Sequence, residues 1–278
     1  MLLQRLLAGF MSFCVVGAVQ AADLLDTVKQ KKELVVGLEA AYAPFEFIEN
    51  GKIVGYDQDL FNWIMETSAP GVKVTLLDLP FQGILPGLAA KRFDVVIAAL
   101  TITKERADKF NFTLPVADAT TALVKRKGEP AIMHAPDLTG KTVGSQAGSA
   151  QLKVLQAYSD KLVAEGKPGI KIREYVAFDE AYADLAAGRT DAVAQSLPNL
   201  ATLVKTRGDV YEVINEPIGP KTFFAWAGRN DADSATLVKF LSDGIAKAGK
   251  EGKLKELQLK WFGFEMPVPS DAVPAPAM

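Results

Sequence analysis

The run Ala99-Leu100-Thr101-Ile102-Thr103-Lys104-Glu105-Arg106 holds the sharpest candidates for chemistry. Thr103 suits the N-cap of a short helix, which puts Lys104, Glu105 and Arg106 in its first turn. A cation is disfavoured there, because the free amides already make that end of a helix positive. A bound anion reverses the sign. Arg106 with Thr101, and Ala99 beside them, would then form a carboxylate clamp in which the guanidinium offers two parallel charge-assisted hydrogen bonds. This segment alone equally admits a solvated arginine paired with Glu105 or Asp108.

A second anion site could lie in Gly144-Ser145-Gln146-Ala147-Gly148-Ser149-Ala150-Gln151. Gly148 allows close backbone approach and Ser149 can cap the helix that follows, so free amides would face a ligand there. A capped helix with a flexible entry explains the same residues, and neither a phosphate-loop lysine nor a dinucleotide glycine pattern is present. Tyr42, Phe45 and Phe81 stand where strands end, so their flat faces could wall a ligand stem or fill the core. Phe81 is expected in a turn between Pro80 and Gly83, ahead of a helix beginning near Ile84. Asp57 and Asp59 are expected to be structural, Asp57 capping a helix and Asp59 favouring its positive end. The sole histidine, His134, follows Pro130 in a polar linker, and neither a nucleophile motif nor a metal-ligand cluster stands out.

The elements that must hold these residues follow from hydrophobic period. Residues 34–38, 72–77, 94–100, 142–145, 170–175 and 191–195 read as buried strands, separated by segments of helical period. The class is α/β with mostly parallel sheets. The strand-helix succession runs twice, with residues 113–127 extended between the runs, so two lobes are expected. Asp179 is expected to cap, and Gly188 to stop, the helix over 181–187. Leu237, Phe240, Leu241, Ile245 and Ala248 fall on one face of a late helix, 235–250, and another spans 253–261.

The ends read differently from the middle. A short apolar run from Leu6 to Val19 behind Arg5, ending in Val19-Gln20-Ala21, has the form of a secretory leader cleaved after Ala21. Cleavage would remove Cys14, the only cysteine, and Arg5, leaving the formal charge of −2 one unit more acidic. That balance argues against a nucleic-acid partner. Residues 266–278, rich in proline, are expected to be a flexible tail.

Taken in order, Tyr42-Ala43-Pro44-Phe45, Gly55-Tyr56-Asp57-Gln58-Asp59-Leu60, Phe81 with Ile84-Leu85-Pro86-Gly87-Leu88, the 101–106 run, Leu185-Ala186-Ala187-Gly188-Arg189-Thr190-Asp191-Ala192 and Lys260-Trp261-Phe262-Gly263 carry a resemblance. The chain resembles the family 3 extracellular solute-binding proteins, over about 34–264. The resemblance implies a type II periplasmic-binding-protein fold. Its first lobe would be 22–117 with 218–265 and its second 118–217, joined by two crossing strands and closing on a ligand. It further implies a periplasmic monomer without cofactor, which hands an amino acid or related small carboxylate to an inner-membrane ABC permease. Arg106 and Thr101 would hold the carboxylate, Ser149 with the amides around Gly148 would reach it from the second lobe, and Tyr42 and Phe81 would flank the stem. The sequence departs from the family at Ser196, where an aspartate usually receives the ligand's ammonium group. Either Glu39, at the exit of the first strand, supplies that charge, or the ligand lacks an ordinary α-ammonium group; Glu39 could equally answer a cationic side chain of the ligand. The same scaffold also serves secreted cyclohexadienyl dehydratases, for which Glu39 would be the acid, and proteins that present ligands to chemoreceptors.

Overall fold

Aliphatic and β-branched runs build two large sheets, beside a small antiparallel one of Ala41–Tyr42, Glu46–Glu49 and Lys52–Val54, in the computed structural model, which describes residues 23–214 and 216–278. The leader and Cys14 lie outside the described residues. In the first sheet the order is Lys73–Asp78, Glu33–Leu38, Val95–Thr101, Phe223–Arg229, Phe110–Phe112, with Ala117–Asp118 also against Phe223–Arg229. In the second it is Lys171–Tyr175, Thr142–Gln146, Ala192–Ser196, Thr121–Arg126, Tyr211–Ile214. The six strands expected from hydrophobic runs are all present, each shifted by one residue at most at either end.

One strand in each sheet runs against the others: Phe223–Arg229 in the first and Thr121–Arg126 in the second. These two are reached through the segments that connect the lobes. Thr113 N–H donates to Trp226 O, Val116 N–H to Phe224 O and Ala119 N–H to Thr222 O, and Ile218 N–H then donates to Thr121 O. The outgoing and returning chains therefore lie side by side where they pass between the sheets. The hinge is a two-stranded continuation of both.

Helices cover the sheet faces. Leu60, Phe61 and Ile64 of Tyr56–Ser68 and Leu237, Leu241 and Ile245 of Ala232–Lys250 pack with Trp226 and Val36 on one face of the first sheet. Ile84 and Leu88 of Phe81–Ala89 pack with Phe93, Leu38 and Leu100 on the other. Leu123, Val143, Leu155 and Ala194 form a separate core in the second lobe. Gly188 ends the helix Phe178–Ala186 in the left-handed conformation, φ 73°, and Arg189 N–H reaches back to Asp184 O at 2.9 Å.

Three local expectations are corrected. Asp179 does not cap its helix: Ala177 holds the N-cap position, and Glu180 reaches back to Val176 N–H at 3.2 Å instead. Phe81 is the first residue of its helix rather than part of a preceding turn, because Pro80 already stands at the N-cap. Asp57 does not cap either. Tyr56 N–H and Asp57 N–H are taken by the carbonyls of Pro44 and Phe45, so the first turn needs no side-chain acceptor and the Asp57 carboxyl turns into the core. Residues 267–278 form neither helix nor strand, yet Val273 borders Phe110 and Val238, and Lys104 N–H donates to Met278 O at 2.7 Å.

Gly55 makes the Asp57 arrangement possible. Its φ of 135° is one that side-chain-bearing residues rarely adopt, and a Cβ there would fall 2.1 Å from Phe45 O. Gly55→Ala is expected to lower the unfolding free energy by ~3 kcal/mol or more, read as a lower urea midpoint at constant slope. An unchanged midpoint would contradict this account of the turn.

Candidate functional site

The strand ends of the two lobes face one another across a small closed cavity of about 10 Å³. From the first lobe, Glu39 stands just past Glu33–Leu38, Ala99 and Thr101 close Val95–Thr101, Phe81 opens its helix, and Arg106 comes from the short helix Lys104–Ala107. From the second, Gln146 ends Thr142–Gln146, and Ser149, Ala150 and Gln151 start the helix Ala150–Ala164. This is the location expected for ligands in α/β sheets, beyond the carboxyl ends of the strands.

Arg106 is buried, 9% exposed. Thr103 caps its helix as expected, accepting from Arg106 N–H at 3.3 Å. Arg106 Nη1 donates to Thr101 O at 3.0 Å, and Nη2 crosses to Gly148 O at 3.1 Å. The guanidinium also lies 5.5 Å from the centre of the Phe81 ring. Burial lowers its pKa to about 10, so the group stays charged at neutral pH. The two side-chain bonds it makes among the described residues thus go to neutral carbonyls, and Glu105 pairs instead with Lys153 and Lys109.

The lobes are drawn together by polar contacts around the cavity. Gln146 Nε2 donates to Glu39 Oε1 at 2.7 Å, Tyr42 OH to Gln195 Oε1 at 2.9 Å, and Asn199 Nδ2 to Ala43 O at 2.8 Å. Gln82 Nε2 adds a bond to Ala147 O at 3.1 Å. Gly148, at φ 76°, turns the carbonyl that Arg106 uses, while Ser149 caps its helix by accepting from Leu152 N–H at 3.0 Å. The Tyr42 ring touches Phe45, Phe178 and Phe224 and also borders a larger hollow of about 580 Å³ with Asp179, Tyr182, Arg207 and Trp261.

Of the residues singled out from sequence, Arg106, Thr101, Glu39, Tyr42, Phe81, Ser149 and Ala99 line the cavity, and Gly148 joins it through its carbonyl. Ser196 does not line it. It is fully buried at the N-cap of Leu197–Arg207, with its hydroxyl bonded to Asn199 Oδ1. Sequence reasoning missed Gln146 and Gln151, although both lie in the strand-exit loop already marked. It also missed Glu46, a charged residue between Phe45 and Phe47 that alternation would place on a solvated strand face.

Glu46 is 2% exposed and Asp57 is fully buried, the two carboxyls facing one another beside Trp226. Among the described residues, Trp226 Nε1 and both Asp57 oxygens close no hydrogen bond of normal geometry, and Glu46 Oε1 accepts from Ala99 N–H at 3.4 Å. Burial raises the pKa of both; the Asp57 charge raises Glu46 further, whereas Trp226 and Glu46 hold Asp57 down, so the proton of the pair is favoured on Glu46. Burial likewise pushes Glu39 up to about 7, against the opposing effect of its bond from Gln146.

Two α/β lobes joined by paired crossing segments and closed over a buried cation define a hinged binder of small molecules. The chain belongs to the bacterial extracellular solute-binding proteins, family 3, whose pattern matches residues 34–264. It is 32% identical over 245 residues to the L-cystine-binding protein TcyJ of Escherichia coli strain K12, covering 87% of each chain. An ancestral arginine-binding protein bound to arginine superposes with a TM-score of 0.74 at 33% identity, over 84% of this chain and 99% of that one. The ancestral amino acid-binding protein AncCDT-1, a precursor of cyclohexadienyl dehydratase, superposes with a TM-score of 0.75 at 28% identity, over 87% and 100%.

The raised carboxyls fix the sign of a stability effect. A carboxyl whose folded pKa exceeds its unfolded value contributes stability that is fully present below the unfolded value and lost as pH rises through the folded one. For Glu39 that window runs from its ordinary value of 4.5 to about 7, and the Glu46–Asp57 pair acts in the same direction. The unfolding free energy of the ligand-free protein is therefore expected to fall between pH 5 and pH 8, by at most about 1.4 kcal/mol per pH unit for each proton. Chemical denaturation at both pH values checks this, and a rise over that interval would contradict it.

Proposed function

We propose that this chain is the periplasmic substrate-capturing component of an ABC importer, closing two lobes on an amino acid or related small carboxylate. Buried Arg106, with no carboxylate partner among the described residues, carries the reading. A desolvated guanidinium is unfavourable unless an anion meets it, and the cavity beside it is where one would sit. The ligand's carboxylate takes the two-pronged bond from Arg106, Thr101 and the Ser149 hydroxyl complete its shell, and Tyr42 and Phe81 flank the stem. The relatives that bind L-cystine and arginine support a ligand of this kind.

In this reading lobe 1 comprises 22–117 and 218–265 and lobe 2 comprises 118–217. The leader directs export, the mature chain works as a monomer, and a membrane permease receives the ligand. It performs no catalysis. Glu39, a cavity carboxyl that burial pushes up to about 7, keeps a second reading open, a dehydratase of cyclic carboxylic acids. The likeness to a dehydratase precursor favours testing it. Product formed from prephenate or arogenate, and lost in Glu39→Gln, would decide for the enzyme.

A thermal-shift screen of amino acids is expected to find a ligand that stabilises the protein, by about 2.7 kcal/mol at 100 times its dissociation constant. Arg106→Ala is expected to weaken that ligand by ~2–5 kcal/mol in titration calorimetry. Wild-type affinity in this variant would sink the clamp.

A further inference from the structure

The segment 267–278 has no regular structure, yet it is fastened to the molecule along its length. At its root the buried side chain of Gln258 clamps Met266 from both sides: Met266 N–H donates to Gln258 Oε1 at 2.8 Å, and Gln258 Nε2 donates to Met266 O at 3.1 Å. Residues 267–271 then border Leu114 and Pro115 of the outgoing hinge segment, and Val273 borders Phe110 and Val238 of the first lobe. At the far end Lys104 N–H donates to Met278 O at 2.7 Å. The Met278 side chain packs instead on the core of the second lobe, the cluster that contains Val143, Val154 and Leu155. One residue thus touches both lobes.

Its position in the first lobe is the start of the short helix that carries Arg106. A helix leaves its first amides without partners inside itself. Here Thr103 takes the amide of Arg106 and Met278 takes that of Lys104. A helix of four residues has little stability of its own, so its placement depends on what holds it from outside. Glu105 pairs with Lys153 of the second lobe, but both side chains are about half exposed or more, and such a pair contributes little. Met278 adds apolar contact to a backbone bond at the same seam. Pro267, Pro269, Pro274 and Pro276 restrict the segment before it docks, so less conformational freedom is lost when it lies down.

We propose that residues 267–278 form a strap that holds the Arg106 helix against the second lobe, and that the strap must leave Lys104 or the second-lobe core before the lobes part. This goes beyond the amino-acid reading and stands without it. Glu39, Thr101, Gln146 and Ser149 line the cavity and are at most 4% exposed, so a molecule held among them leaves only as the lobes separate. The strap accordingly sets how long a ligand stays, and the cavity sets which ligand it is.

Lys104→Pro isolates the bond. Proline is accepted at the first position of a helix, and Thr103 before it is already extended, at φ −115° and ψ 156°. The substitution removes the N–H, and Lys104→Ala controls for the side chain, whose pair with Asp108 is exposed. Spin labels on Ala89→Cys and Ala186→Cys, exposed positions at the end of one helix in each lobe, report lobe separation in the full chain carrying Cys14→Ser. Deletion of 267–278 and Lys104→Pro should each add a population at longer distance without ligand, while Lys104→Ala should match the wild type. In stopped-flow displacement of a bound amino acid, the deletion should speed release about three- to thirtyfold. Label distances unchanged by both the deletion and Lys104→Pro overturn the strap, even where the melting temperature falls, because a purely structural role lowers stability without separating the lobes. Lobe separation in Lys104→Ala equal to that in Lys104→Pro overturns it as well. Should the deletion fail to fold, the Lys104→Pro distances decide. Binding of none of the twenty amino acids or L-cystine overturns the amino-acid reading alone, since the distances are read without ligand.

Discussion

A guanidinium removed from water and answered, among the described residues, by carbonyl oxygens and the Phe81 ring is the constraint around which this molecule is arranged. Arg106 is held by its own lobe through Thr101 O and by the other through Gly148 O. For that geometry to exist, two sheets formed by distant stretches of chain must turn the same ends toward one point. The crossing segments satisfy this by continuing as the one reversed strand of each sheet. A rotation between the lobes therefore bends a short paired segment without unpairing either sheet. The same design lets the contacts of Tyr42, Gln146 and Asn199 form or part together.

The acids complement the cation. Positive charge in the cavity wall comes from one short helix, and negative charge comes from a strand exit and from Glu46, set on Glu46–Glu49 behind Ala99. Arg106 bonds carbonyls rather than these acids, and burial favours the neutral form of the carboxyls. Closing directly on one another would be the more stable arrangement for the empty protein, and would leave nothing for a zwitterion to gain. Unmatched polar groups of this kind cost the ligand-free fold some stability.

Much of this was legible in the sequence, for physical reasons. Parallel strands buried on both faces produce uninterrupted aliphatic runs, so those at the centre of each sheet could be read directly. Thr103 and Ser149 announced helix starts because a cap needs a short oxygen-bearing side chain beside free amides, and both bonds are present. The reversed strands were less visible. Thr121–Arg126 and Phe223–Arg229 lie in stretches whose pairing partners come from the far end of the chain, which local period cannot reveal. Asp57 misled because a carboxylate two residues past a glycine resembles a cap. Only the folded chain shows that Pro44 and Phe45 carbonyls had already taken those amides. Glu46 was hidden by the same logic, since alternation assigns a charged strand residue to water.

Trp226 gives the buried acid pair an optical consequence. Its indole is wholly shielded and lies against Asp57, whereas Trp63 and Trp261 are partly open to solvent. Emission from such a shielded ring falls at the blue edge of the spectrum, and its intensity depends on whether the neighbouring oxygen atoms bear a proton. The fold thereby contains its own fluorophore, positioned to make the ionisation state of the interior visible without a label.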